Sequence, residues 1–149
     1  MQTLRYCLWL CATTMVVFCT PSSRVSTRYH LDSFGSVDYN KYGIAFIITQ
    51  QGWAAIDQEQ NIVYTPFNFD NGPDEPKEGL IRFVENGKMG FVDETGQKQI
   101  DAQFTFAWPF ENGRARACIE CKKVYHGEHY RYDAEEWFFI NKSGSRIPE

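Results

Sequence analysis

The chain has 149 residues, 43% hydrophobic and 23% charged, the balance of one globular domain rather than a disordered chain. A net charge of −4 argues against nucleic acid as a partner, which would need a basic footprint, and against a surface drawn to anionic lipid. Aromatic residues make up 16% and lean the chain toward strands.

Residues 1–19 carry one charge, Arg5, followed by Leu8-Trp9-Leu10-Cys11-Ala12 and then Met15-Val16-Val17-Phe18. A short positive start before an apolar run reads as a secretory signal peptide. The run is too short to span a bilayer comfortably as a helix. Export to the periplasm or the exterior is therefore expected, with the membrane touched only through the signal or a lipid anchor. Cys19 is the lipid-attachment candidate, although Phe18 stands where a lipobox wants a small residue; ordinary cleavage after Cys19 fits as well. Residues 20–30 open with Thr20-Pro21-Ser22-Ser23-Arg24, which is linker chemistry.

Residues 31–149 repeat. Trp53-Ala54-Ala55-Ile56-Asp57, Met89-Gly90-Phe91-Val92-Asp93 and Trp137-Phe138-Phe139-Ile140-Asn141 align, each with a large first residue, an aliphatic fourth and an Asp or Asn fifth. Gly43 and Gly79 each stand 14 residues before their Asp, and Gly113 stands 28 before Asn141, so the third copy holds an insert. The copies run over residues 43–78, 79–112 and 113–149, with the insert at 118–136. Residues 31–42 read as the tail of a further, truncated copy. The middle copy resembles the WG repeat, with Lys88, Gly90, Phe91, Val92, Asp93 and Gly96 in place and Met89 instead of the tryptophan. The resemblance, to proteins of the bacterial exported or lipoprotein type, implies a β-repeat fold and no activity.

The residues themselves point the same way. Ile44-Ala45-Phe46-Ile47-Ile48 and Leu80-Ile81-Arg82-Phe83-Val84 are strand-forming runs closed by turn residues. Asn86-Gly87 predicts a tight hairpin, and Glu94-Thr95-Gly96 a second turn. Each repeat is expected to form about three short antiparallel strands, an all-β unit that must stack on neighbours to bury its apolar face. Trp53, Met89 and Trp137 are expected as a buried ladder, the alternative being an exposed row that stacks on sugar rings. Asp57, Asp93 and Asn141 are expected to cap their own turns rather than to hold calcium.

The insert carries the most chemical-looking residues: Cys118, Cys121, His126 and His129. Their spacing invites a zinc reading. Lys122 to Tyr125 and Tyr130 to Tyr132 instead suggest hairpin arms turning at Gly127-Glu128, which leaves Cys121 roughly 16 Å from the histidines at strand rise. Cys118 and Cys121 are also a disulfide candidate, on condition that Ile119-Glu120 bends. Neither catalytic residues nor a cofactor is indicated, since no nucleophile elbow, phosphate loop or zinc-protease helix occurs. The expected function is a non-enzymatic interaction module of the bacterial envelope or exterior with a protein or glycan partner. Metal binding or thiol-redox chemistry at the insert is the alternative.

Overall fold

The computed structural model describes residues 24–69 and 71–148. The expected leader, residues 1–19, and Cys19 lie outside the described residues. Within them the chain is mostly β, with one short helix. In chain order the elements are α1 (Arg28–Phe34), β1 (Ala45–Thr49), β2 (Gly52–Ile56), β3 (Ile62–Tyr64), β4 (Asn68–Phe69), β5 (Gly72–Pro73), β6 (Leu80–Glu85) and β7 (Lys88–Asp93). They continue with β8 (Lys98–Phe104), β9 (Phe106–Ala107), β10 (Arg114–Cys118), β11 (Cys121–His126), β12 (His129–Ala134), β13 (Phe138–Asn141) and β14 (Arg146–Ile147).

Each repeat is a three-stranded antiparallel meander. The sheets run β1-β2-β3, β6-β7-β8 and, in the third copy, β14-β13-β10 with β9 added at the far edge. The expected turns do their work. Asn86 and Gly87 both have positive φ and join β6 to β7. Asp93 accepts hydrogen bonds from the amides of Thr95 (2.9 Å) and Gln97 (3.0 Å), and Asn141 accepts them from Ser143 (3.0 Å) and Ser145 (3.1 Å). Asp57 accepts two from Asn61, from its backbone and its side-chain amide (both 2.8 Å). The third residue after each of these is left-handed: Gln60, Gly96 and Gly144. Asn40 makes the same turn, accepting from the amides of Tyr42 and Ile44 with Gly43 left-handed.

Turn chemistry also sets an acid response. Partial burial pushes the Asp93 carboxyl up, but bonds from the Thr95 hydroxyl and from the Gln97 and Thr95 amides outweigh it and hold the group below its ordinary 3.8. A carboxyl lowered in the folded state stabilises fully above 3.8, and that contribution is lost as pH falls through the folded value. Asn141 shows that an amide oxygen serves the same turn. Asp93→Asn is therefore expected to cost stability at pH 7 and less below about pH 4, read from urea midpoints at pH 7 and pH 3. An equal difference at both would contradict the assignment.

Neighbouring repeats join by strand addition. The tail of the first copy pairs with the opening strand of the second: Val84 donates to the Thr65 carbonyl (2.9 Å) and Phe67 to that of Arg82 (3.0 Å). The tail of the second copy does the same to the third. Trp108 donates to the Arg116 carbonyl (2.8 Å) and Thr105 to that of Cys118 (3.0 Å). The turns touch as well, since Asn40 donates to the Glu94 carbonyl, as Lys142 does to that of Glu78. The core follows these joints. Ile44, Ala55, Tyr64, Ile81, Phe83 and Val92 pack between the first and second copies. Met89, Phe91, Phe104, Phe106, Phe138 and Ile140 belong to the larger cluster between the second and third.

Among the described residues no complete copy precedes the first repeat, and its opening strand is closed differently. His30 on α1 is buried, and its Nδ1 accepts the Ile48 amide (3.1 Å), the position whose counterpart Val84 is satisfied by Thr65. The imidazole thus stands in for a missing strand at an edge that would otherwise be open. Val25 further donates to the Gln60 carbonyl (3.0 Å). Two expectations need correction here. The segment read as linker up to residue 30 holds the start of α1, closed by left-handed Gly35. Serine and threonine content marked it as linker, but docking of His30 and Phe34 against Trp53 stabilises a helix there.

The ladder also differs from expectation. Met89 is buried, but Trp53 and Trp137 are half-buried. Met89 lies in the middle copy with repeats on both sides, and the Ala107 amide points at its sulfur (3.3 Å). Trp53 and Trp137 sit in the outer copies, where α1 lies beside Trp53, and the Arg116 guanidinium (4.6 Å from the ring centre) and the edge of Phe106 cover Trp137 only in part.

Candidate functional site

The third sheet has one face in the core and one toward solvent. Ala107, Ala115, Ala117, Phe138 and Ile140 fill the inner face. The alternating Arg114-Ala115-Arg116-Ala117 therefore turns both arginines outward. The register places Arg116 opposite Phe139, and Phe139 opposite Ile147, while the Trp108 amide bonds the Arg116 carbonyl. Trp108, Arg116, Phe139 and Ile147 thus stand side by side across four strands. The Arg114 guanidinium lies 4.4 Å over the Phe139 ring, and Trp108 is 47% exposed.

Two clefts flank Trp108. One, of about 640 Å³, is lined by Lys77, Trp108, Pro109, Arg114, Arg116 and Phe139 among others. The other, of about 530 Å³, is bounded by Phe69, Pro73, Glu75, Lys77 and Trp108 and reaches Arg82 and Asp74. Arg82 is 1% exposed and forms a bidentate pair with Asp74 (both contacts 2.7 Å), with a third bond to the Ala107 carbonyl (3.1 Å). Phe67 covers the guanidinium at 4.6 Å, with Phe69 and Phe106 further out. The charged pair is satisfied within the protein, so it anchors the cleft wall.

The insert is a hairpin, β11 with β12, with His126 opposite His129 and Cys121 opposite Ala134. Its base lies on the outer face of the third sheet, where Tyr132 stacks on Phe106 (4.1 Å, 19°), and burial pushes the Tyr132 hydroxyl up. Its tip is exposed: Tyr125, His126, His129 and Tyr130 all face solvent, with Lys123 over the Tyr130 ring at 3.6 Å. Cys118 and Cys121 form a disulfide with Cα atoms 6.0 Å apart, and residues 119–120 bend as that separation requires. The four zinc candidates are not brought together: both sulfurs are bonded to each other at the base, and both imidazoles sit at the tip.

This arrangement has a measurable consequence. Replacing His126 and His129 by Ala is expected to leave thermal stability within about 0.5 kcal/mol, as for other exposed changes. Reducing Cys118–Cys121 should cost about 2 kcal/mol or less, because so short a loop restricts little chain entropy. Zinc retained by the purified chain and lost on His126→Ala would contradict both.

Of the residues on this face, the sequence reading singled out Trp137 and the insert but passed over Trp108, Arg114, Arg116 and the Arg82–Asp74 pair. The alternation from Arg114 to Ala117 was the available signal. The model of the WG containing repeat family matches residues 89–120, from β7 to the bend after β10. That stretch is the second half of the middle repeat with the opening strand of the third, and it includes Trp108, Arg114 and Arg116. No curated protein and no solved structure matches the chain. The match supports a β-repeat module, in agreement with the strand order.

Proposed function

We propose that the chain is an exported, non-enzymatic interaction module that presents the outer face of its third repeat to a partner in the bacterial envelope or outside the cell. The observation that carries this reading is the row Trp108–Arg116–Phe139, aromatic rings and a guanidinium held outward on a rigid sheet. Exposed aromatics and arginines are the residue types that dominate binding surfaces. Stacked repeats offer such surfaces on a stiff scaffold. The carboxyls of Asp57, Asp93 and Glu78 are each lowered by hydrogen bonds, within turns for the first two and to Lys142 and Gly113 for Glu78, so their acidity is explained by structure alone. Export rests on the apolar run before Cys19, which either carries a lipid or is cleaved away.

The test is an amide-shift titration of the mature chain with separated protein and polysaccharide fractions of the cell surface. Shifts confined to residues 106–118 and 137–141, with the ligand recovered chemically unchanged, are expected. Conversion of the ligand, or shifts confined to the tip of the insert, would overturn the reading. Export is tested by fractionation: a reporter fused after Arg24 should leave the cytoplasm, and charged residues at Val16 and Val17 should retain it there.

A further inference from the structure

We propose that the cleft between Trp108 and Phe139 binds a carboxylated oligosaccharide, a uronic-acid glycan, with the indole stacking on a sugar ring and Arg114 and Arg116 taking the carboxylates. The inference rests on the interaction-module reading and names the ligand class for it.

Charge is the first argument. The chain is acidic overall, at −4, yet this cleft is lined by Lys77, Arg114 and Arg116 against the single carboxylate of Glu111. The ion pairs among the described residues join Arg82 to Asp74, Lys98 to Glu85, Lys142 to Glu78 and Arg146 to Glu136. None of the three cleft cations takes part in them. A concentration of unpaired cations on an acidic body selects an anionic ligand.

Geometry is the second. Arg114 lies over Phe139 (4.4 Å) and Arg116 over Trp137 (4.6 Å), so each guanidinium is fixed by a ring and keeps its N–H edge for a ligand. A guanidinium held in this way matches a carboxylate in two-point fashion. Trp108 is positioned by an edge-to-face contact with Phe106 (5.2 Å, 90°), and the residue remains 47% exposed. Trp108 and Phe139 are two strands apart, about 10 Å at ordinary strand spacing, a length suited to two linked sugar rings.

The backbone decides between a glycan and an acidic peptide. The groups bordering the cleft are already paired: Trp108 N–H to the Arg116 carbonyl, and Glu111 and Arg114 with each other in both directions. A peptide cannot add there as a strand, so main-chain recognition is closed and side chains must do the binding. Flat apolar faces alternating with carboxylates are what a uronate chain offers.

The experiment is calorimetric titration of the full chain with tetragalacturonate and tetramannuronate, with maltotetraose as neutral control and tetraglutamate as the peptide. At least one uronate is expected to bind, with maltotetraose about ten-fold weaker or more, and Arg116→Gln and Trp108→Ala each weakening the uronate about ten-fold. Phe69→Ala, on the neighbouring cleft, should leave it unchanged. Arg116 is exposed, so Arg116→Gln tests the site without threatening the fold. Absence of binding by both uronates, equal binding of maltotetraose, or tighter binding of tetraglutamate would each overturn the proposal. If the uronates fail while a protein fraction still shifts residues 106–118, only the ligand class falls. If no fraction shifts them, the module reading falls too.

Discussion

Arg82→Met is expected to destabilise the protein by about 3–5 kcal/mol, because it leaves the Asp74 carboxylate buried without its counter-charge. Arg82 is almost fully buried, and it holds three segments at once. Asp74 lies in the loop that ends the first repeat, Arg82 itself is on β6, and Ala107 is on β9 in the tail of the second repeat. Asp74→Ala should cost a similar amount, leaving the guanidinium unpaired. The two losses overlap, so the double variant should be far less damaged than their sum, and urea melts of all four proteins measure that coupling. Additive losses would mean that the two side chains act independently.

Gly90→Ala is the second large effect, about 3 kcal/mol and at the upper end for overpacking. The glycine has an ordinary extended backbone; what it lacks is room. A Cβ there would lie 2.5 Å from the Ile100 carbonyl oxygen and 2.7 Å from the Ala102 nitrogen, both backbone atoms that cannot rotate away. The cause is the irregular pairing of β7 with β8. Met89 pairs with Phe104 and Phe91 with Ile100, so extra residues of β8 bulge toward Gly90. The same position holds Ala54 in the first repeat and Phe138 in the third. In those copies the third strand is short, β3 and β14, and does not crowd the site. Thermal melts of Gly90→Ala beside Ala54→Gly separate the cases, since Ala54→Gly should cost only about 1 kcal/mol. A Gly90→Ala protein as stable as the parent would refute the close-approach account.

Local chemistry explains which features were readable from the chain. The Asn86-Gly87 hairpin, the Asx turns at Asp57, Asp93 and Asn141 and the pairing of His126 with His129 each depend on residues a few positions apart. The repeat period then carried those local readings across the body. Arg82 was read only as part of a strand run, because its partners Asp74 and Ala107 lie 8 and 25 residues away and meet it only once the repeats stack. Trp53 and Trp137 resemble Met89 in the alignment, but burial is decided by what stands next to each copy. The helix Arg28–Phe34 has no side-chain N-cap to announce it and forms against the first repeat. The outward row at Trp108 depends on β9 joining β10, a pairing between two repeats that neither motif contains.

Three meanders form one domain by adding the tail of each copy to the next. Native-state amide exchange tests it most directly. The joining amides are those of Phe67, Val84, Thr105 and Trp108, each bonded to a carbonyl of the neighbouring copy. If the repeats are one cooperative unit, these should exchange as slowly as Phe91 and Ile140 in the core, through global unfolding. Joining amides that exchange orders of magnitude faster than the core, with the repeats opening separately, would contradict the stacked-domain account.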